Sequence, residues 1–147
     1  FGLETTGSPL VIDGNPVLLG ELLKNLIDNA IKYTPEGGCV TVRTIATERA
    51  IVEVEDTGIG VPDTDRERVF ERFYRVLGSS ESGSGLGLPI VREIAELHRA
   101  KVSLIPNPCG KGTIAQVVFP RSRGALDDAN ALDLQAPRST AEQFPPG

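Results

Sequence analysis

Apolar residues recur along the first 120 positions with two different spacings, which predict helices and strands. One helical pattern begins at Asn15 and Pro16, where asparagine is typical of an N-cap and proline of the first helical position. This helix is expected to run to about Tyr33 and to stop before the next proline. Helical spacing also predicts a short helix over residues 66–75 and a longer one over residues 89–98.

Alternating apolar and polar residues predict two hairpins. The first joins residues 40–45 to residues 51–56, and the second joins residues 101–105 to residues 113–119. Strands with such short links pair antiparallel, because parallel pairing requires a long crossover. The order of elements therefore predicts an α/β two-layer sandwich, in which a mixed, mostly antiparallel sheet carries three main helices on one face.

The periodic patterns define one domain over residues 1–120. From residue 121 onward the chain consists largely of Ala, Asp, Pro, Ser and Gln, which predicts a disordered C-terminal tail over residues 121–147. Phe1 begins within a pattern and no initiator methionine precedes it, so we expect the chain to be part of a larger protein.

Charge and composition exclude several classes of function. The formal net charge of −5 disfavours general attraction to nucleic acid or to an anionic membrane. No apolar run approaches the roughly 20 residues that a membrane-spanning helix needs. Cys39 and Cys109 form no C-x-x-C pair, which disfavours a zinc site or a disulfide framework. We expect them to be small packing residues in loops, in a reducing compartment.

The first predicted helix carries two asparagines where a solvated face would favour Glu, Lys or Gln. At about 100° per residue, Asn25, Asn29 and Lys32 fall within one narrow arc, with Tyr33 at its edge. Neutral amide oxygens suit a Mg²⁺ ion that already carries phosphate and water ligands, and the lysine could reach phosphate oxygens. A plain polar face explains this arc equally well. An apolar stripe is expected roughly opposite it, formed by Leu23, Leu26 and Ala30.

Asp56 ends the second predicted strand and, by the period of two, shares the apolar face with Val54. This assignment assumes that Glu53 faces water. A carboxylate on an apolar face needs a donor, and the exocyclic amine of adenine would supply one. Gly58 and Gly60 would let the base approach the backbone. An Asx-type turn at Asp56 explains the same residues equally well.

Two further segments suit phosphate. Arg72 and Arg75 lie three residues apart in the short predicted helix, and guanidinium groups bind phosphate oxygens, although a solvated basic face is the alternative. Residues 83–89, Gly-Ser-Gly-Leu-Gly-Leu-Pro, run into a helix whose N-terminal N–H groups would attract phosphate. Their G-x-G-x-G spacing matches neither a dinucleotide-binding fingerprint nor a P-loop, and a flexible linker is the alternative. Residues 110–113, Gly-Lys-Gly-Thr, are equally well explained as a hairpin turn.

The order of these motifs is more specific than any one of them. Between residues 25 and 113 the chain has an asparagine helix, Asp-x-Gly-x-Gly, a Phe/Arg segment, Gly-x-Gly-x-Gly and Gly-x-Gly-Thr. In this order they resemble the N, G1, F, G2 and G3 boxes of the GHKL superfamily (Bergerat fold), and specifically of histidine kinase catalytic domains. The resemblance covers most of residues 3–120.

The resemblance implies a site for ATP and Mg²⁺ under a mobile lid at about residues 61–84. Asn29 would be the principal Mg²⁺ ligand with Asn25 in support, while Lys32 and Tyr33 would contact phosphates. Asp56 would bind the adenine 6-amino group. The remaining nucleotide contacts would come from Gly58, Gly60, Gly85, Leu86, Gly87, Leu88 and Thr113. Asn29, Lys32 and Arg72 or Arg75 would serve catalysis, with one of the two arginines near the γ-phosphate.

Asn25 bears on the type of reaction. In the ATP-hydrolysing branch of the superfamily, a Glu one turn before the metal-binding asparagine is the general base, and an amide cannot accept a proton near neutral pH. The chain therefore favours phosphoryl transfer to a positioned acceptor. His98 lacks the acidic neighbour and downstream proline of an acceptor motif, and is expected to be structural. Arg99 and Ala100 depart from the His-Gly-Gly that the family often has at this turn, which puts the local turn geometry in doubt.

Two alternatives remain beside a histidine kinase. An anti-sigma-factor serine kinase would usually lack the box at residues 70–75, and a nucleotide-sensing module would not need Asn29 and Lys32. A histidine kinase of a two-component system would work with its own dimerisation domain, which carries the acceptor histidine, and with a response regulator. The chain is then expected to be a monomeric, cytoplasmic part of a homodimeric inner-membrane sensor, without nucleic-acid or membrane contacts of its own.

Overall fold

The computed structural model describes residues 2–6, 10–72, 74 and 87–121 of the chain, with backbone only at residues 2–6. Its regular elements in chain order are β1 (Gly2–Thr6), α1 (Pro16–Tyr33), β2 (Val40–Ala46), β3 (Ala50–Asp56), a 3₁₀ turn (Arg68–Phe70), α2 (Gly87–Leu97), β4 (Lys101–Pro106) and β5 (Thr113–Phe119). Both predicted hairpins are confirmed, with boundaries within one residue of the expected ones. The tail predicted over residues 121–147 lies, apart from its first residue, outside the described residues.

The strands form one sheet in the order β1-β2-β3-β5-β4. β1 pairs parallel with β2, because α1 provides the crossover between them. The other three pairings are antiparallel. This confirms the mixed, mostly antiparallel sheet of a two-layer α/β fold. β3 lies in the middle of the sheet, so both of its edges are paired and its last residue, Asp56, is held among neighbouring strands and turns.

The core lies between one face of the sheet and the two helices, which pack on each other and on the strands. Its most enclosed side chains come from all of these elements: Leu26, Val54, Val91, Val117 and Phe119. Burial of one such side chain contributes about 1.5–3 kcal/mol to folding. The core therefore fixes the position of α1, which carries Asn25, Asn29, Lys32 and Tyr33, relative to β3, which ends at Asp56.

The N-terminus of α1 is capped as the sequence predicts. Oδ1 of Asn15 accepts hydrogen bonds from the backbone N–H groups of Val17 and Leu18, at 2.9 and 3.2 Å. These two donors belong to the first turn of the helix, where no intrahelical acceptor exists for them. The cap therefore defines where the helix begins, and Pro16 fits the next position because it has no N–H to satisfy.

The apolar stripe of α1 is rotated from its predicted position. The buried residues are Leu22, Leu26 and Ala30, whereas Leu23 is only half-buried. At about 100° per residue, this stripe lies beside the arc of Asn25 and Asn29 rather than opposite it. The two asparagines therefore lie at the border of the core, where a helix face meets a cavity.

The short helix predicted over residues 66–75 is even shorter than expected. Within its described part, residues 66–75 form only a 3₁₀ turn over Arg68–Phe70, and Glu71 returns to an extended conformation with φ −75° and ψ 141°. Val69 and Phe70 are buried, so the apolar spacing reflects one real contact with the core but not a longer helix. Phe73 and Arg75 lie outside the described residues.

Glu53 does not face water, contrary to the assumption made for β3. It is only 9% exposed, because Gln116 donates from Nε2 to its Oε1 at 2.8 Å and the Arg43 guanidinium lies 3.5 Å from its Oε2. The same guanidinium lies 3.0 Å from Oε2 of Glu55. These polar side chains cover the face of the sheet opposite the helices. The alternation itself holds, since Val54 is fully buried on the helix side.

Cys39 and Cys109 are free and exposed, which contradicts the prediction that they pack inside loops. Cys39 lies in the segment before β2, and Cys109 lies in the turn between β4 and β5. In that turn the backbone N–H of Cys109 donates to Oδ1 of Asn107 at 3.0 Å. No helix within the described ranges is both long and apolar enough to cross a bilayer.

Candidate functional site

A cavity of about 280 Å³ opens between α1, β3 and the N-terminus of α2. Small-molecule sites are typically concave, of about 300 Å³ or more, and mostly apolar with a few placed polar groups. Apolar core residues such as Leu26, Val54 and Ala115 form part of its wall. The predicted site residues that line it are Asn25, Asn29, Lys32, Tyr33, Asp56, Gly60, Gly87, Leu88 and Thr113. The fold thus brings together residues from four separate sequence motifs.

The two asparagines of α1, Asn25 and Asn29, both line the cavity. Nδ2 of Asn25 donates to the backbone carbonyl of Glu21 at 2.9 Å and to Glu21 Oε1 at 3.3 Å, which leaves Oδ1 for other partners. That oxygen lies close to Gly87, where an added Cβ would lie 3.5 Å from it. Asn29 makes no side-chain hydrogen bond with any residue that the structure describes. Asn25 and Asn29, one turn apart on α1, therefore carry amide oxygens that no described residue uses.

Lys32 supplies positive charge to the same region. It is half-buried, and its Nζ lies 5.4 Å from the centroid of the Tyr33 ring. A cation in the last turn of α1 is favoured by the helix dipole. Within the described part of the chain no carboxylate pairs with this ammonium group. The chain as a whole has a net charge of −5. Lys32 therefore supplies local positive charge at a cavity that would have to bind a polyanion.

Asp56 places its carboxylate on the cavity side of the end of β3. Oδ1 accepts hydrogen bonds from the backbone N–H groups of Gly58, at 2.9 Å, and Thr113, at 3.2 Å. No described residue donates to Oδ2. Burial raises the pKa of Asp56 above its ordinary value of 3.8, and the two N–H donors oppose part of this rise. The Asx-type turn therefore uses one carboxylate oxygen of Asp56, and the other has no described donor.

Three glycines around Asp56 have different roles. Gly60 lines the cavity, and its φ is +77°. Gly58 does not line it: a Cβ there would lie less than 3.0 Å from the backbone carbonyl of Tyr33, so this glycine permits close packing on the end of α1. Gly112, which the sequence indicated only weakly, has φ +100°, and a Cβ there would lie less than 3.0 Å from the carbonyl oxygen of Asp56.

The arginines are not brought to the cavity in the described part of the chain. Arg72 is exposed, and its Nη2 lies 3.6 Å from Oε2 of Glu93 on α2. An exposed pair of this kind contributes at most about 1 kcal/mol and does not hold the arginine firmly. Arg75, Gly85 and Leu86 lie outside the described residues, as do residues 73 and 75–84 of the predicted lid at residues 61–84. Their roles stay predictions.

Sequence reasoning missed two polar residues of the cavity, Asp28 and Tyr74. Asp28 pairs with Lys24 at 2.8 Å, and this i, i+4 spacing indicates an ordinary exposed pair in the sequence. The hydroxyl of Tyr74 is hydrogen-bonded to Asp65, which raises the pKa of Tyr74, and the Arg68 guanidinium lies 5.0 Å from its ring centroid. The only sequence signal for Tyr74 was its position between the two predicted arginines.

His98 lies away from the cavity and joins the two helices. Its Nε2 accepts the backbone N–H of Asn15 at 3.1 Å, at the cap of α1. Because Nε2 is the acceptor, Nδ1 carries the proton and donates to the carbonyl of Ile94 at 2.8 Å, in the last turn of α2. Both ring nitrogens are thus engaged. This agrees with the structural role predicted for the histidine, and Arg99 after it takes a left-handed conformation with φ 54°.

Known proteins are similar to this chain in sequence and in fold. Residues 14–123 match the family described as histidine kinase-, DNA gyrase B-, and HSP90-like ATPase. Over 104 residues the chain is 41% identical to the sensor protein CreC of Escherichia coli, an alignment that covers 69% of this chain. The solved structure of the mycobacterial sensor histidine kinase MprB is 36% identical, with a TM-score of 0.70 over 81% of this chain and 80% of that one.

A structure of full-length ShkA in complex with AMPPNP is also similar, with a TM-score of 0.66 at 31% identity. That similarity covers 80% of this chain and 25% of ShkA. The chain likewise spans only about a fifth of the length of CreC, or 22%.

Proposed function

The chain belongs to the family of histidine kinase-, DNA gyrase B- and HSP90-like ATPases, as a catalytic domain of the histidine kinase type, and we propose that it binds ATP with Mg²⁺ and donates the γ-phosphate to a histidine on a separate dimerisation domain of the same kinase. One observation carries this proposal. The cavity has a carboxylate acceptor, Asp56, on β3, and two amide oxygens with a lysine on α1. A nucleotide has a matching distribution of donors and negative charge.

The base of the nucleotide would occupy the end of the cavity at β3. Oδ2 of Asp56 is the oxygen that no described residue uses, and the 6-amino group of adenine is a donor of the right kind for it. Apolar residues beside it, such as Val54 and Ala115, would contact the faces of the base. The ionised carboxylate is costly in this half-buried position, so a donor from the ligand would stabilise it.

The phosphates would lie towards α1 and the start of α2. Oδ1 of Asn29 and Oδ1 of Asn25 fit a hard, oxygen-preferring ion such as Mg²⁺, because neither is consumed by a described partner. When bound, the ion would neutralise phosphate charge and align the γ-phosphate. Lys32 would add a fixed positive charge, and the backbone at Gly87 and Leu88, at the N-terminus of α2, would favour phosphate oxygens.

Transfer would break the bond between the γ-phosphorus and the leaving oxygen of ADP as a bond to an imidazole nitrogen of the acceptor forms. Such a reaction depends chiefly on alignment and on neutralisation of charge. Lys32 would stabilise the charge that develops on the leaving phosphate, and Arg72 or Arg75 would approach the γ-phosphate. Asn25 stands where the hydrolysing relatives have a general base, so water would not be activated at that position.

The rest of the parent protein would supply the other parts of the reaction. Relatives such as CreC carry the name of sensor proteins, and we infer a sensor with its own dimerisation domain and a response regulator that receives the phosphate. We further infer that this domain is cytoplasmic and belongs to a homodimeric inner-membrane protein, although by itself it would be monomeric.

Calorimetry and labelling together test the proposal. The chain should bind ATP more tightly with Mg²⁺ than without it, and with γ-labelled ATP it should label a separately produced dimerisation domain. The label should be stable to base and labile to acid, as expected for phosphohistidine. A matched reaction with the Asn29→Ala variant should leave the acceptor unlabelled. Binding of ATP without any transfer would instead indicate a nucleotide-sensing module.

A further inference from the structure

The turn between β4 and β5 contains a buried asparagine, Asn107, that does not line the cavity. Asn107 is 5% exposed, although it lies in a hairpin turn. Its Nδ2 donates to the backbone carbonyl of Asp56 at 3.0 Å and to Oε1 of Glu55 at 3.3 Å. Its Oδ1 accepts the N–H of Cys109 at 3.0 Å. One side chain therefore ties the turn to the end of β3, 51 positions away in sequence.

The same turn also holds the carboxylate of Asp56. The backbone N–H of Asn107 donates to the carbonyl of Gly112 at 3.1 Å, which closes the turn. The next residue, Thr113, donates its N–H to Asp56 Oδ1 at 3.2 Å. Gly112 lies so close to the Asp56 carbonyl that no Cβ fits between them. Asn107 thus fastens the turn whose following N–H orients the carboxylate.

We propose that Asn107 is a positioning residue that sets the preference of the site for 6-aminopurine nucleotides, by holding Asp56 so that its free oxygen faces the cavity. This rests on the proposed function, in which that oxygen accepts the 6-amino group. Displacement of a carboxylate by less than 1 Å is enough to weaken a hydrogen bond that depends on direction. A base without a 6-amino group does not use this bond and would not sense the displacement.

The experiment compares two nucleotides that differ only in the 6-amino group, ATP and purine riboside 5′-triphosphate. Their dissociation constants are measured by calorimetry, with Mg²⁺, for the wild-type chain and for Asn107→Ala. We expect the wild type to prefer ATP at least about tenfold, as a hydrogen bond to a charged group implies. In Asn107→Ala the affinity for ATP should fall about fivefold and that for the analogue less than twofold.

Two further variants separate the positioning role from folding. Asn107→Asp has nearly the same size and retains an acceptor for the Cys109 N–H, but it loses both donors and sets a carboxylate against Glu55. It should lose the preference for ATP as Asn107→Ala does, and it supplies the result if the alanine variant does not fold. Gln116→Ala is the matched control. It removes a side-chain hydrogen bond to Glu53, which lies on β3 as Asp56 does but does not contact its carboxylate. It should keep the full preference.

A double variant tests whether Asn107 acts through Asp56. Asn107→Ala should weaken ATP binding little further in the Asp56→Asn background, since the bond it supports is already lost. Equal losses for both nucleotides, or an unchanged preference in both Asn107 variants, would overturn the inference while leaving the proposed function intact. A wild-type chain that binds ATP and the analogue equally would overturn the adenine role of Asp56 and the inference with it.

Discussion

The backbone N–H of Thr113 donates to Oδ1 of Asp56 over 3.2 Å, and so joins two residues that are 57 positions apart in the chain. The bond crosses from the first residue of β5 to the last residue of β3. With the N–H of Gly58 on the same oxygen, it leaves Oδ2 as the oxygen that no described residue uses. Several predictions about the cavity depend on this arrangement.

Replacement of Asp56 by asparagine should weaken ATP binding without unfolding the domain. The amide oxygen of the variant retains the bonds from Gly58 and Thr113, but its NH₂ group would face the adenine amine, so two donors would oppose each other. The loss should be about 1.5–3 kcal/mol, or roughly ten- to hundredfold in the dissociation constant. Calorimetry measures it, and an unchanged affinity would remove Asp56 from the adenine role.

In the absence of nucleotide, the difference in stability between the wild type and Asp56→Asn should depend on pH. Burial raises the pKa of Asp56 in the folded chain, so the folded state holds this proton more tightly than the unfolded state. The wild type should therefore lose stability relative to Asp56→Asn as the pH rises from about 3.8 through the folded pKa. Urea unfolding of both proteins between pH 3.5 and 7.5 gives the difference. A gap that stays constant, or moves in the opposite direction, contradicts the raised pKa.

Asn29→Ala should remove most of the Mg²⁺ dependence of ATP affinity. The proposed ligand oxygen is lost, whereas the walls around the base are unchanged. Apparent affinity for the ion should fall at least about tenfold. The matched control is Ile31→Ala, an exposed position of the same helix that does not line the cavity. A variant whose binding of ATP still responds fully to Mg²⁺, like the control, would end the assignment of Asn29 as the principal ligand.

Alanine variants of Gly112 and Gly110 test whether the close approach of Gly112 to the Asp56 carbonyl is important. Both have positive φ, +100° and +108°, so alanine at either position carries a similar backbone strain, of about 1–2 kcal/mol. Only at Gly112 would the added Cβ collide with the Asp56 carbonyl, since nothing lies within 4 Å at Gly110. Gly112→Ala should therefore unfold at lower urea concentration and bind ATP more weakly than Gly110→Ala. Equal behaviour of the two variants would mean that the close approach is unimportant.

His98→Ala should lower stability but leave ATP affinity unchanged. It removes the acceptor of the Asn15 N–H and the donor to Ile94. Because water replaces part of these bonds at an exposed helix end, the loss should be about 1 kcal/mol. Leu97→Ala, at an exposed neighbouring position, should change stability by less than about 0.5 kcal/mol. A drop in ATP affinity for the histidine variant alone would show that the junction of the helices reaches the cavity.

Features that depend on neighbouring residues were predictable from the chain. The Asn15 cap, the limits of both hairpins and the α/β class follow from local spacing, because each reflects hydrogen bonds or side-chain directions within one element. The helix predicted over residues 66–75 was predicted too long. Val69 and Phe70 have helical spacing, but within the described residues they form only one 3₁₀ turn. Spacing shows which residues share a face, but not how many turns the surrounding core can accommodate.

The sequence by itself determined the family, through five motifs in a fixed order, and showed that Asn25 and Asn29 share one arc of α1 and that Asp56 shares a strand face with Val54. Only the tertiary structure decided which atoms of those residues are free. The register of β3 with β5 and the turn that Asn107 closes set the bonds on Asp56, and packing sets α1 so that its asparagines border the core. These are contacts between residues far apart in the chain, and local periodicity carries no information about such distances.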